Sequence, residues 1–268
     1  MALAPTSVHP PSVHALTVYD RLLAARDTHG AGFVVLIDPD KLAPEDAPGF
    51  VERCVDAGVD ALFLGGSLMH QGELEGYVDL ITSASDLPVI GFPGSLSQIA
   101  PNLDAILYLS VVSGRNPEYL IGQHVHAAPM LKRCGLETIS TGYMLIESGR
   151  MTTATYMSGS PPIPRHKPEI AAATGLAAEM MGMKLLFTDA GSGAEYAVSE
   201  AMVYAITKTC SIPLVVGGGL RSPEDVARRV AAGASFVVVG NAIEQRAGDG
   251  SFMAELAAAA HNAHALAR

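Results

Sequence analysis

A chain of 268 residues that is 49% hydrophobic can bury one large core, and it is close to the usual size of a single (β/α)8 barrel, about 250 residues. A formal net charge of −10, with no Lys/Arg cluster, argues against a nucleic-acid groove or an anionic membrane surface, although loop amides or a cation could still hold an anionic small molecule. No apolar run reaches the roughly 18 residues of a membrane span, and the N-terminus lacks a basic region followed by an apolar stretch, so neither a transmembrane segment nor a secretion signal is expected.

Residues 1–14 carry three prolines and two histidines and read as a poorly ordered lead-in, leaving 15–268 as one domain. Val18 to Ala25 is the opening helix. Phe33 to Ile37 is the first strand, with Asp38-Pro39-Asp40-Lys41 at its C-terminal end. Pro44 to Ala57 has helical spacing and stops at Gly58. Asp60 to Leu64 is the second strand and ends in Gly65-Gly66-Ser67; Leu74 to Ser83 is helical, and Pro88 to Phe92 is the third strand. The stretch before the fourth strand, Ala105 to Leu109, contains Pro93, Gly94 and Pro101 and is short for a crossover helix, so the third unit should be irregular.

Pro117 to Arg133 is helical, and a fifth strand lies within Leu136 to Glu147. Gly149 to Lys167 is a long Thr-, Ser-, Gly- and Pro-rich loop of the kind that often serves as a lid. Pro168 to Met181 is helical. Lys184 to Thr188 is the sixth strand, closed by Asp189-Ala190-Gly191-Ser192-Gly193-Ala194, and Ser199 to Thr209 is the next helix. Pro213 to Gly219 and Ser235 to Asn241 then supply two β-branched strands, each ending in glycine. Between them Ser222 is placed to cap a helix, with Pro223 at its first position and Glu224 and Asp225 in its first turn. Phe252 to Ala267 is the last helix. Eight strands mostly alternating with helices favour an α/β architecture closed as a parallel (β/α)8 TIM barrel, modified at its third unit.

In such a barrel the strand ends converge on one face, gathering Asp38, Asp40, Ser67, Asp189, Ser192, Gly218, Gly219, Gly240 and Asn241. Glycine-ended strands 7 and 8 suit a phosphate site because backbone N–H groups can approach an anion closely; the alternative is that these glycines only make tight turns. Acids opposite phosphate loops imply a cation, and Mg2+ needs few protein oxygens. Asp38 is the first candidate ligand, or else a turn cap before Pro39; Ser67 offers a hydroxyl, or else a helix cap. Asp189 sits where a base could meet a substrate hydroxyl, with a cap as its other reading. His124 and His126 point to different sides of a helix and read as packed or solvated. Met180, Met181 and Met183 read as packing, and the unpaired Cys54, Cys134 and Cys210 as reduced structural thiols, which suits a cytoplasmic protein.

Ile37-Asp38-Pro39-Asp40-Lys41, Gly65-Gly66-Ser67, Asp189 to Ala194, Gly217-Gly218-Gly219 and Gly240-Asn241 together resemble the geranylgeranylglyceryl phosphate synthase family. Pro162-Ile163-Pro164 and Lys167-Pro168-Glu169-Ile170 resemble its branch with an Ala-Gly-Ser-Gly-Ala loop. The resemblance implies a Mg2+-dependent prenyltransferase that joins a polyprenyl diphosphate to a hydroxyl of a phosphorylated three-carbon acceptor, and it implies a homo-oligomer. On the matching positions, Asp38 and Ser67 would hold Mg2+. Asp189, Ala190, Gly191, Ser192, Gly193, Ala194, Gly218, Gly219, Gly240 and Asn241 would hold the acceptor, with Asp189 as the base.

Two positions depart from the family. Phe187-Thr188-Asp189 stands where Tyr-Leu-Glu is usual, and Leu36 stands where the other main branch has lysine. These departures make the chain similar to a specialised branch that attaches farnesyl to 3-phosphoglycerate in moenomycin-type phosphoglycolipid antibiotic biosynthesis. The expectation is therefore a 3-phosphoglycerate acceptor, with Arg150, Arg165, His166 or Lys167 meeting its carboxylate. The alternative is a geranylgeranyl- or heptaprenylglyceryl phosphate synthase acting on glycerol 1-phosphate. From other classes, a phosphate-sugar isomerase or lyase, or a non-catalytic phosphometabolite binder, would use the same barrel.

Overall fold

A computed structural model describes residues 16–70 and 74–266 of the chain, so the expected lead-in of residues 1–14 lies outside the described residues. Among the described residues, eight parallel strands close in sequence order: β1 (Gly32–Ile37), β2 (Ala61–Leu64), β3 (Val89–Gly91), β4 (Ala105–Val111), β5 (Glu137–Leu145), β6 (Leu185–Asp189), β7 (Leu214–Gly217) and β8 (Phe236–Val239). Closure comes from β8 pairing with β1, where Phe33 lies opposite Val237 and Val35 opposite Val239. The strands are runs of β-branched and aromatic residues with both faces covered, as parallel strands require.

Alternation along each strand separates two packed layers. Val34, Phe63, Ile90, Leu107, Ile139, Phe187, Val215 and Phe236 fill the barrel interior. Val35, Leu62, Ile106, Met144, Leu186, Val216 and Val237 face outward under the helices. The helices are α1 (Val18–His29), α2 (Ala47–Asp56), α3 (Leu74–Thr82), α4 (Gln123–Cys134), α5 (Thr153–Ser158), α6 (Pro168–Met180), α7 (Glu200–Thr209), α8 (Pro223–Ala231), α9 (Asn241–Glu244) and α10 (Gly250–Leu266). The expected cap before α8 is present: Ser222 accepts from the Asp225 N–H. Helix α1 belongs to the interior rather than the outer ring. Val18 and Leu22 join the inner cluster, and Glu137 accepts from the N–H groups of Val18 and Tyr19, so α1 seals the floor beneath β5.

The third unit is irregular as expected, with one 3-10 turn (Leu96–Gln98) joining β3 to β4. The long 149–167 segment is more ordered than its composition implies. Thr152 caps α5, and Ile146 bridges to Ile163. The helix expected from Pro117 starts as a wider turn over Glu118–Gly122 before α4. Met183 packs against the core, but Met180 and Met181 are 77% and 74% exposed, because α6 ends there and turns them to solvent. Among the described residues, no helix is long and apolar enough to cross a membrane.

The inner layer makes a direct prediction. Phe236 is 1% exposed, and its ring fills the space a Gly32 side chain would need, 2.6 Å from that missing Cβ. Phe236→Ala should cost about 3–5 kcal/mol and lower the thermal midpoint by roughly 6–20 °C, as read by calorimetry. A shift under about 2 °C would mean the floor repacks freely.

Candidate active site

The C-terminal strand ends open into one cleft of about 240 Å3. It is lined by Asp38, Ser67, Asp189, Gly191, Ser192, Gly193, Ala194, Gly218, Gly219, Gly240 and Asn241, so nearly all the residues singled out from sequence share one cleft. Two do not line it. Ala190 is 1% exposed and donates its N–H to the Gly217 carbonyl at 3.1 Å, tying the β6 loop to β7 instead of facing the cleft. Asp40 accepts from the His70 N–H at 2.8 Å.

Asp189 is the most constrained of these groups. It ends β6, opposite Leu145 in the β5 register, which sets Tyr143 opposite Phe187. The Tyr143 hydroxyl donates to Asp189 Oδ2 at 2.5 Å, and the Gly191 N–H donates to Oδ1 at 2.6 Å. Burial raises the Asp189 pKa above the ordinary carboxylate value, against the lowering effect of these two hydrogen bonds. Burial, and then the charge of Asp189, push the Tyr143 phenol well up, so it stays a proton donor to the carboxylate. An aromatic wall supports the pair: Phe187 stacks on Phe92 at 5.1 Å and meets the Tyr143 edge at 5.4 Å.

Gly218 explains why the β7 turn can come so close. Its φ is +78°, and a Cβ there would lie 2.5 Å from the Gly191 nitrogen and 2.6 Å from Asp189 Oδ1. Only glycine lets the two loops nest together. Ser192 donates to the Asn241 side-chain oxygen at 3.0 Å, which couples the β6 and β8 loops. Arg221 donates to the Ala194 carbonyl at 2.6 Å and stitches the rim behind them.

The opposite flank is a different environment. Lys41 Nζ lies 3.1 Å from Asp38 Oδ2 and 3.0 Å from Glu244 Oε2. Burial alone would lower the Lys41 pKa, but the pairings with Glu244 and Asp38 outweigh it and the net shift is upward. The β2 turn lies against Asp38, since a Cβ on Gly66 would sit 3.4 Å from its Oδ1. A carboxylate and the Ser67 hydroxyl on one wall are hard oxygen donors in small number, a set that fits Mg2+ completed by water and phosphate oxygens.

Of the four cations expected to reach a carboxylate, Arg150 lines the cleft and packs on Gly193, 2.9 Å from where a Cβ would stand. Arg165 bonds the Ala197 carbonyl and lies over the Tyr196 ring, Lys167 pairs with Glu169, and His166 is not on the cleft wall. Tyr143, Lys41, Glu244 and Arg221 escaped the sequence reading as site residues. Tyr143 is an ordinary strand residue until the β5–β6 register is known, and Lys41 and Glu244 meet across nearly the whole chain. A second, smaller cavity of about 70 Å3 shares Pro93, Gly94, Leu109 and Tyr119 with the cleft, and it is walled by Leu96, Ile99, Ile106, Leu107 and Leu131. His124 borders it, buried with its Nε2 3.2 Å from Ser110 Oγ, while His126 is exposed, which is the divergence their spacing implied.

The chain is similar to known proteins over most of its length. The model of the PcrB family matches residues 25–259. A geranylgeranylglyceryl phosphate synthase of Chitinophaga pinensis is 47% identical over 246 residues, covering 92% of this chain and 96% of that one. One from Thermococcus gammatolerans is 43% identical over 212 residues, covering 79% of this chain and 83% of that one. Among solved structures, (S)-3-O-geranylgeranylglyceryl phosphate synthase from Thermoplasma acidophilum in complex with sn-glycerol-1-phosphate superimposes with a TM-score of 0.88 at 30% identity, covering 92% of this chain and all of that one.

The raised Asp189 pKa has a consequence for stability. In the window from about pH 4, where a free aspartate loses its proton, up to the shifted value, the folded protein holds a proton that the unfolded chain has released. Stability attributable to Asp189 therefore falls as pH rises through that window. The thermal midpoint of Asp189→Asn, relative to wild type, should climb as pH rises above about 4. A difference that stays constant with pH would mean that burial does not hold this carboxyl up.

Proposed function

The chain belongs to the PcrB family, and from that premise we propose that it transfers a prenyl group from an allylic diphosphate to a hydroxyl of glycerol 1-phosphate, forming an ether. The observation that carries this reading is the buried Asp189 carboxylate beside three glycine-bearing turns, on a cleft whose other flank holds Asp38, Ser67 and Lys41. One flank suits a diphosphate with a cation, and the other suits a monophosphate with a hydroxyl to be deprotonated.

Asp38 and Ser67 would hold Mg2+, which when bound would neutralise the diphosphate and ease its departure. Lys41, 3.1 Å from Asp38, adds a second positive charge on that flank. The acceptor phosphate would rest on the Ser192–Ala194, Gly218–Gly219 and Gly240–Asn241 turns, whose amides are fixed by the loop contacts. As the acceptor oxygen bonds to the allylic carbon and the carbon–diphosphate bond breaks, the hydroxyl proton passes to Asp189. Burial makes Asp189 a better base than an ordinary aspartate, and the Tyr143 and Gly191 donors hold it in position. Leu109 and Tyr119 lead from the cleft into the apolar side cavity, a path suited to the prenyl tail.

A second reading has 3-phosphoglycerate as acceptor and farnesyl diphosphate as donor, the combination of moenomycin-type phosphoglycolipid antibiotic biosynthesis. The specific observation in its favour is Arg150 against Gly193, where a guanidinium could meet an acceptor carboxylate. The Phe187 and Asp189 departures from Tyr-Leu-Glu point the same way. The names of the relatives, and the sn-glycerol-1-phosphate bound in the similar solved structure, weigh more heavily toward glycerol 1-phosphate.

Crossing both acceptors with diphosphates of several chain lengths, with products read by mass spectrometry, decides between them. An ether of glycerol 1-phosphate, formed only with Mg2+ present, is the expected product. Formation of the phosphoglycerate ether alone would move the assignment to the second reading, and no ether from any pair would overturn transfer altogether. Asp189→Asn should lower kcat by about 10²–10⁴-fold while acceptor binding persists. Arg150→Ala should raise KM for 3-phosphoglycerate more than for glycerol 1-phosphate; equal effects on both would remove Arg150 as a carboxylate contact.

A further inference from the structure

At the end of the barrel opposite the cleft, three side chains from distant parts of the chain converge. His29 ends α1, Asp60 precedes β2, and His261 lies in α10. His29 Nδ1 is 3.1 Å from Asp60 Oδ1, His261 Nε2 is 2.9 Å from Asp60 Oδ2, and the three ligand atoms all lie within 4.8 Å of one another. We propose that His29, Asp60 and His261 form a binding site for one divalent transition-metal ion, zinc by its donor set, clasping α10 to α1 beneath the barrel.

Two imidazoles and one carboxylate are borderline donors suited to Zn2+ and its neighbours rather than to Mg2+ or Ca2+. A tetrahedral ion with arms of about 2.0–2.1 Å has ligand–ligand edges of about 3.3 Å. The two imidazoles reach different oxygens of the carboxylate, 3.1 Å and 2.9 Å away, so an ion taking one of these oxygens has one edge close to that geometry, and the remaining donor closes in from within the 4.8 Å that spans the three. The rings lie 4.1 Å apart at 34°, with both nitrogens turned to the same carboxylate. The carboxylate is itself oriented from behind, because the Phe33 N–H donates to Oδ2 at 2.7 Å, which is the outer support that metal-ligating carboxylates usually have. The side chains grade from 7% exposed at Asp60 through 19% at His261 to 37% at His29, which gives solvent a way to the site and leaves room for water as a fourth ligand.

Hydrogen bonds from two neutral imidazoles to Asp60 would give similar distances without an ion, so the test must separate the two. Chelator-stripped full-length protein is titrated with Zn2+ against a chromogenic chelator, in Mg2+-saturated buffer, alongside His29→Ala and His261→Gln. Glutamine at 261 keeps a hydrogen-bond donor for Asp60 but removes the imidazole. The expected result is one equivalent bound by the wild type and weakened more than about 100-fold in both variants. At a hundredfold excess over Kd, Zn2+ should raise the wild-type thermal midpoint by roughly 5–10 °C and leave the variants unmoved. Zn2+ binding of equal affinity and stoichiometry in all three proteins, or no binding by the wild type, would overturn the site and leave the cluster a hydrogen-bonded clasp. Neither outcome bears on prenyl transfer, which takes place at the other end of the barrel.

Discussion

Closure of β8 onto β1 is the constraint from which the site follows. Once Phe33 pairs opposite Val237, strand parity is set all round the ring, and alternate residues must face either the interior or the helices. Phe187 falls on the inner side, so Asp189, two residues on, falls there too, at the mouth. The same parity brings Tyr143 inward on the neighbouring strand. With α1 packed into the floor through Val18 and Leu22, the interior opens at the C-terminal rim, and polar strand ends are usable only there. Asp189 and its hydroxyl partner Tyr143 are therefore products of register more than of loop design.

Much of this was legible because it depends on local chemistry. β-branched runs closed by glycine, the Ser222-Pro223-Glu224-Asp225 start of α8, and the scarcity of residues between β3 and β4 each report on a few neighbouring peptide units. The rim residues followed from topology alone, since a parallel barrel sends all strand ends one way. What stayed hidden depends on packing between distant segments. The Tyr143–Asp189 bond spans 46 positions and the Lys41–Glu244 pair spans 203. Ala190 shares a motif with its neighbours, yet strand parity turns its side chain into the outer layer, and its N–H is donated to the Gly217 carbonyl. The exposure of Met180 and Met181 could not be read from composition, because it depends on where α6 stops.

A protein of net charge −10 that takes the two phosphorylated substrates proposed for it must solve its electrostatics locally. At physiological ionic strength, exposed charges are screened over about 8 Å, so the acidic surface acts only weakly on a ligand seated in the cleft. Lys41, Arg150 and Arg221 sit on the cleft wall, and the glycine-bearing turns add amide dipoles without adding side-chain volume. The long 149–167 segment contributes Arg150 at its start, and α5 then folds Ala154, Met157 and Ser158 over the same cleft. That segment supplies polar and apolar contacts together, as a lid over a charged head and an apolar tail would have to.

The two acids of the cleft show how environment divides their roles. Asp38 lies 3.1 Å from an ammonium and beside a hydroxyl-bearing turn, on the flank of the cleft that carries positive charge. Asp189 meets a phenol and a peptide N–H in a wall of aromatic rings, with its pKa pushed up by burial. An ether-forming transfer needs both kinds: one fixed negative charge to help seat a cation against the leaving group, and one basic carboxylate to accept a proton where charge separation is costly. Exchanging their surroundings would remove both proposed functions while leaving every residue type in place, so the cleft's proposed chemistry resides in the β5–β6 register and the Lys41 pairing as much as in the acids themselves.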